Sequence, residues 1–331
     1  MKAVAAVLLI GVCSALAAYA TSVTAQPLSA GAAAYPSKPI RFIIPFPAGG
    51  TTDVAARMIG QKMTEAWGQP TLVEPRVGAG SVIGSELVAK AQPDGHTLLV
   101  NTIAFTIVAS LHRKLPYDPI KDFAPIIQIS ALPLVLVVHP SLPVKTVKEL
   151  IALARGRPGQ LNYASSGSGT SPHLAGEMFK TMAKVDMVHI PYKGSAMGAN
   201  ALLGGHVMMS FSLLPAVLPQ IQANKLRAIA ATTTQRTAAL PNLPTIAESG
   251  LPDYEISSWQ GVWAPTGVAP DIVAKLNREI VRIIKLPDVQ ERITSEGATP
   301  VGNSPADFAS FVRREIVKWA QVVKESGAQA D

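Results

Sequence analysis

Short apolar runs recur along the chain at 40–46, 71–73, 97–100, 126–129, 134–138, 160–164, 187–190, 207–211, 226–230 and 255–259. Between them, apolar residues return every three or four positions, the period of a helix with one buried face. Ala55, Met58, Ile59, Met63 and Trp67 form one such stripe. Local signals mark where helices start and stop. Thr146-Val147-Lys148-Glu149 reads as a capping box ahead of Leu150, Ile151, Leu153 and Ala154. Gly204-Gly205 ends another helix, and Ser304-Pro305 opens the last one, which carries Phe308, Phe311, Val312, Ile316 and Trp319. Strand and helix patterns that alternate in this way predict an α/β fold with mostly parallel sheets and flanking helices.

A chain of 331 residues exceeds the roughly 250–300 that one core usually serves, which predicts two domains. The proline-rich stretches 132–143 and 263–270 read as extended crossings between them. Two crossings make the first domain discontinuous: residues 36–133 with 262–331 form one lobe and 134–261 the other.

The N-terminus reads as an export signal. Lys2 precedes an apolar core from Ala3 to Leu16, and Val23-Thr24-Ala25 supplies a small-x-small cleavage site, so the exported, mature chain starts near Gln26. The apolar core falls short of the roughly 20 residues a membrane span needs. Cys13 is the one cysteine and lies inside this leader, behind Val12 rather than the small residue of a lipoprotein site. The mature protein therefore has no thiol, which removes cysteine nucleophiles, iron–sulfur clusters and cysteine-based zinc sites.

Four loops share one design, a strand that ends in glycine and opens into a helix. They are Pro45-Phe46-Pro47-Ala48-Gly49-Gly50-Thr51-Thr52-Asp53, Glu74-Pro75-Arg76-Val77-Gly78-Ala79-Gly80-Ser81, Ser165-Ser166-Gly167-Ser168-Gly169-Thr170-Ser171-Pro172 and Pro191-Tyr192-Lys193-Gly194-Ser195. In the third, Ser171 is placed as N-cap with Pro172 at the first helical position. Glycine lets the backbone approach a ligand closely, and a helix N-terminus offers unpaired N–H groups and partial positive charge, so such a loop suits an anion. Four of them predict one shared cleft.

Charge and composition narrow the partners. The formal charge is +7, falling to +6 without Lys2, and it is spread along the chain. With aromatics at 5% and no basic run interleaved with them, nucleic-acid binding is not expected. A mildly basic exported protein instead suits small anions. The six histidines include no i, i+4 pair and no H-E-x-x-H helix, so neither a metal nor a cofactor is expected. Gly78-Ala79-Gly80-Ser81-Val82-Ile83-Gly84 departs from the dinucleotide fingerprint because its last glycine comes one residue late. An alternative is a secreted α/β serine hydrolase acting through Ser166 or Ser168 with His173. No Gly-x-Ser-x-Gly elbow supports it, and a histidine near a helix N-terminus is disfavoured as imidazolium.

Taken together, Tyr35-Pro36-Ser37-Lys38-Pro39-Ile40, the loop Pro45–Asp53, Gly78-Ala79-Gly80, Leu115-Pro116-Tyr117-Asp118-Pro119-Ile120-Lys121-Asp122-Phe123, Asn162-Tyr163-Ala164-Ser165 and Pro191-Tyr192-Lys193-Gly194 resemble the Bug family of extracytoplasmic solute receptors. The resemblance extends over essentially the whole mature chain. It implies a two-lobed Venus flytrap of the type II periplasmic-binding-protein class that closes on a small carboxylate and serves the integral permease subunits of a tripartite tricarboxylate transporter. It also implies a monomer that catalyses no reaction; a receptor that serves a signalling partner shares the same fold. Carried over by position, Phe46 lines the cleft wall, and Ala48, Gly49, Thr51 and Asp53 border the carboxylate. Asn101, Ser165, Ser166, Gly169, Thr170 and His173 close the other side, with Tyr192 and Lys193 below. Two positions depart from the family. Ser212 stands where an acid is common, which argues against an amino-acid ligand, and Pro75 replaces the usual asparagine.

Overall fold

The computed structural model describes residues 35–326, apart from 113 and 296, as a mixed α/β molecule. The predicted leader, with its cleavage site and Cys13, lies outside the described residues. Eight strands form one path, β2 (Thr71–Pro75), β1 (Ile40–Ile44), β3 (Thr97–Thr102), β9 (Ser257–Pro265), β4 (Phe123–Val138), β7 (Met209–Leu213), β5 (Asn162–Ser165) and β6 (Val188–Pro191). Two more, β8 (Arg227–Ala231) and β10 (Thr299–Pro300), pair onto β4.

The direction of pairing follows the connections. β1 runs parallel to β2 and β3, and β5 runs parallel to β6 and β7, as successive strand–helix units require. Every antiparallel ladder involves β4 or β9. These two strands run side by side through the middle of the sheet, and they make it mixed where alternation alone predicted mostly parallel pairing.

The apolar runs 126–129 and 134–138 belong to a single 16-residue strand, β4. Pro133 lies opposite Ser257 at the end of the β9 ladder, and from Leu134 onward the strand pairs with β7 and β8 instead. A proline is tolerated where a strand changes partners. Ile256 donates its N–H to Thr232 O, beside the bond from Thr232 N–H to Leu134 O, so the returning chain reaches β9 at the same place. β9 pairs with β4 from Ser257 to Pro265 and with β3 from Gln260 to Trp263.

Most helix boundaries sit where their signals put them. In α1 (Thr51–Trp67), Ile59 and Met63 of the apolar stripe are fully buried and Trp67 partly so. Before α4 (Val147–Gly156), Glu149 N–H donates to Thr146 Oγ1 at 3.2 Å. In return, the Glu149 carboxylate accepts the N–H of Lys145, one residue ahead of the N-cap, at 2.6 Å. The last helix, α10 (Pro305–Ser326), buries Phe308, Val312 and Trp319 against β4 and β9. The Nε1–H groups of Trp259 and Trp319 both donate to Glu315 Oε2 at 2.9 Å, which satisfies a buried carboxylate.

Candidate functional site

Three strands, β1, β5 and β6, run through glycine turns into α1, α5 (Ser171–Ala183) and α6 (Ser195–Leu203). The residues at the three N-caps are Gly50, Thr170 and Gly194, and none of them caps its helix with a side chain. α5 thus begins one residue earlier than its Ser-Pro signal suggested, with Pro172 in the second position. The three uncapped ends meet around a cavity of about 60 Å³. Phe46, Ala48 and Thr51 line one side, and Ser166, Thr170 and Lys193 the other. Its floor comes from Thr102, Leu213 and Ser258 at the strand ends, and no acidic residue among the described ones lines it.

A larger cavity of about 650 Å³ shares Phe46, Ser166, Thr170 and Lys193 with the first and adds the turn at Gly78–Ser81. All four glycine loops therefore border one continuous space. Tyr192 lines the larger part alone.

The remaining residues singled out in the sequence stand behind this lining. Gly49, at φ +81°, donates its N–H to Asp53 Oδ2 at 3.0 Å, and Asp53 is itself buried and paired with Arg57 Nε at 2.9 Å. Asp53 thus locks the first loop from beneath. Asn101 is fully buried; its Oδ1 accepts Thr102 N–H at 2.7 Å while its Nδ2 donates to Ser85 Oγ at 3.2 Å, which shapes the end of β3. Ser165 Oγ accepts the Gly167 N–H at 3.0 Å and is bonded to His189 Nε2 at 2.6 Å. Gly169, at φ +78°, donates its N–H to His173 Nδ1 at 3.2 Å. The His173 ring lies flat on that of His189, 4.1 Å between centroids. Ser165, Gly169 and His173 therefore hold the shape of the third loop.

Sequence reasoning missed two kinds of lining residue. Ser195, Ala196 and Met197 belong to the first turn of α6, and Gly194-Ser195 was already a helix-start signal that reached them. Thr102, Leu213 and Ser258 carry no local signal, because only the strand order β3-β9-β4-β7 gathers their ends. Ser212, where an acid was the expected family feature, is buried and donates to Ser210 Oγ at 2.9 Å. Among the described residues no group of three or more His, Cys, Asp or Glu could hold a metal ion, and no helix is long and apolar enough to cross a membrane.

A sheet in two halves joined by a pair of antiparallel strands, with helix N-termini from both halves facing one cavity, defines a two-lobed receptor of the periplasmic-binding-protein type. Residues 55–328 match the model of the "Tripartite tricarboxylate transporter family receptor", and the chain belongs to that family. Protein BugT of Bordetella pertussis is 39% identical over 312 residues, which is 94% of this chain and 95% of BugT. Among solved structures, Rpa4515 of R. palustris with adipate is 38% identical at a TM-score of 0.86, covering 89% of this chain and 99% of that one. MatC from Rhodopseudomonas palustris with bound malate is 32% identical at a TM-score of 0.83, covering 87% and 100%.

Proposed function

We propose that this protein captures a small organic carboxylate between its lobes in the periplasm and delivers it to the membrane permease of a tripartite tricarboxylate transporter, without catalysing a reaction. The observation that carries the reading is the convergence of three helix N-termini without side-chain caps on a cavity that no acidic residue among the described ones lines. Each such terminus presents unpaired N–H groups and partial positive charge, and together they replace the hydration of a carboxylate without a buried counter-charge. The relatives bound to adipate and to malate support the same ligand class.

The lobes of this reading comprise 36–133 with 262–331, and 134–261. The partner change of β4 at Pro133–Leu134 supports the first boundary, and the bond from Ile256 N–H to Thr232 O, a little ahead of the second boundary, supports a return of the chain in this region. The protein works as a monomer, exported by its leader. Its contacts with ligand come from Phe46, Ala48, Thr51, Ser166, Thr170 and Lys193, while Gly49, Asp53, Asn101, Ser165, Gly169 and His173 keep those contacts in place and Tyr192 borders the outer part.

A melting-temperature screen of the mature protein against mono-, di- and tricarboxylates tests the reading, since a ligand that binds the folded state alone raises Tm by mass action. A clear rise with one or more carboxylates is expected. No rise with any of them would overturn it, as would turnover of ester substrates that is lost in Ser166→Ala.

A further inference from the structure

The third glycine loop, whose Ser166 and Thr170 line the cavity, is held from behind by two histidines. His173 is 4% exposed and lines neither cavity. Its Nδ1 accepts the Gly169 N–H at 3.2 Å, a bond that needs a lone pair on that nitrogen, so the ring is neutral. The His189 ring lies nearly parallel to it, 4.1 Å between centroids. His189 Nε2 is bonded to Ser165 Oγ, which accepts the Gly167 N–H. One histidine thus fixes Gly169 directly and the other fixes Gly167 through Ser165. Charge on one ring opposes charge on the other, so the stacked pair takes up a first proton well before a second.

The elements around the pair carry few other titratable groups. Tyr163 of β5 stacks on His189 and donates to Glu177 Oε1 at 2.7 Å, and Lys180 reaches the same oxygen at 3.0 Å. Tyr254 donates to Ala175 O on α5, and β7 carries no titratable side chain. On α10, Glu315 is bonded to Trp259 and Trp319 and Lys318 pairs with Glu255, while Asp307, Arg313, Arg314 and Lys324 are exposed. Lys193 and His112 line the larger cavity beside the loop.

We propose that His173 is a pH switch on this loop: a proton on its Nδ1 sets two donors face to face, frees Gly169 N–H and loosens Ser166 and Thr170, so that acid releases the bound carboxylate. The inference rests on the carboxylate reading of the cavity and adds its regulation. An imidazolium also attracts an anion, which would act in the opposite sense. His173 is turned to the loop backbone and not to the cavity, so the loss of loop geometry outweighs that attraction. Each ligand released is matched by up to one proton taken up, so affinity falls by as much as about tenfold per pH unit once the ring titrates.

Calorimetry with adipate and with malate, from pH 7.5 down to pH 4.5, reads the switch in the mature wild type, His173→Asn and His189→Gln. Asparagine offers Oδ1 as an acceptor near the place of Nδ1 and takes up no proton. Each profile is divided by its own value at pH 7.5, and protonation of the acid itself cancels between proteins. Over this range the wild type should lose roughly tenfold more affinity than His173→Asn, and His189→Gln should follow the wild type. A second readout needs neither ligand nor variant: in nitrogen-15 spectra of the unliganded wild type, the Gly169 amide should shift together with the titration of the His173 ring. Equal profiles for the wild type and His173→Asn would overturn the switch. So would a pH dependence lost in His189→Gln alone, or a Gly169 amide that stays still while His173 titrates. Binding of neither acid at pH 7.5 would count against the carboxylate reading instead, with the Gly169 amide still deciding the switch.

Discussion

At the scale of single residues, the site divides into groups that touch the cavity and groups that brace them, and substitutions should sort accordingly. Gly49 and Gly169 adopt left-handed backbone at φ +81° and +78°. A Cβ at Gly49 meets nothing within 4 Å, whereas one at Gly169 lies 3.0 Å from Leu111 Cδ1. Gly49→Ala should therefore cost about 1–2 kcal/mol from backbone strain alone, and Gly169→Ala more, with weaker ligand binding in both; urea titration and calorimetry check each. Asp53→Ala removes the acceptor of Gly49 N–H and should loosen the first loop by about 1 kcal/mol, while Asp53→Asn retains an acceptor and should lose less. Lys193 is exposed and lines both cavities. If backbone N–H groups supply the grip, Lys193→Ala costs less than about 1 kcal/mol in affinity, as for a solvent-exposed charge. A loss of all binding in that variant, with both glycine variants binding like wild type, would reverse the assignment.

At the scale of elements, two contacts give opposed expectations for glycine. In α5, a Cβ at Gly176 would overlap the Tyr163 ring, whose hydroxyl donates to Glu177 Oε1 at 2.7 Å and which stacks on His189 behind the third loop. Gly176→Ala should destabilise by about 1–3 kcal/mol through overpacking. At the end of α4 a Cβ at Gly156 meets nothing within 4 Å, so Gly156→Ala should be neutral or stabilise by about 0.5 kcal/mol. Equal effects of the two in urea unfolding would contradict the packing account. The first two strands are tied by charge as well. Arg41 grips Glu74 through Nε–Oε1 at 2.7 Å and Nη2–Oε2 at 3.0 Å, and Arg76 adds a bond of 2.7 Å to Oε2. The hydrogen bond from Arg41 holds the Glu74 carboxyl below the usual carboxylate range. A carboxylate with a depressed folded-state pKa contributes stability above its unfolded pKa and loses it as pH falls through the folded one. The acid limb of the stability curve should accordingly be shallower in Glu74→Gln than in the wild type, measured by urea midpoints from pH 7 down to pH 3.

At the scale of the whole molecule, the described chain passes between the halves of the sheet in β4 near Pro133 and at the entry into β9. A few residues there can absorb the φ/ψ change of a closing motion while each half stays rigid. Ligand should therefore compact the protein, visible as a smaller radius of gyration by small-angle scattering; an unchanged radius under saturating ligand would count against closure. α10 packs on α3 (Ala104–Leu111), on β4 and on α5, and so spans both halves. Its Glu315, bonded to Trp259 and Trp319, anchors it beside β9.

Much of this was legible along the chain because it depends on neighbours in sequence. The alternation of strands and helices, the stripe of α1, the Thr146 cap, the Ser304 start and the four glycine loops all follow from periodicity and local backbone chemistry, which act over a few residues. The third dimension decided what depends on residues far apart. β4 and β9 became one antiparallel pair because each satisfies the other's backbone, a match invisible in either run alone. Asn101, Ser165 and His173 stand behind the lining of the two cavities, each hydrogen-bonded to a neighbouring group, since a polar residue near a loop points inward or outward according to which partner lies behind it. Thr102, Leu213 and Ser258 joined the cavity floor through strand order. Local sequence determined which loops present N–H groups; tertiary packing determined where those groups converge, because convergence is set by the register of strands separated by more than a hundred residues.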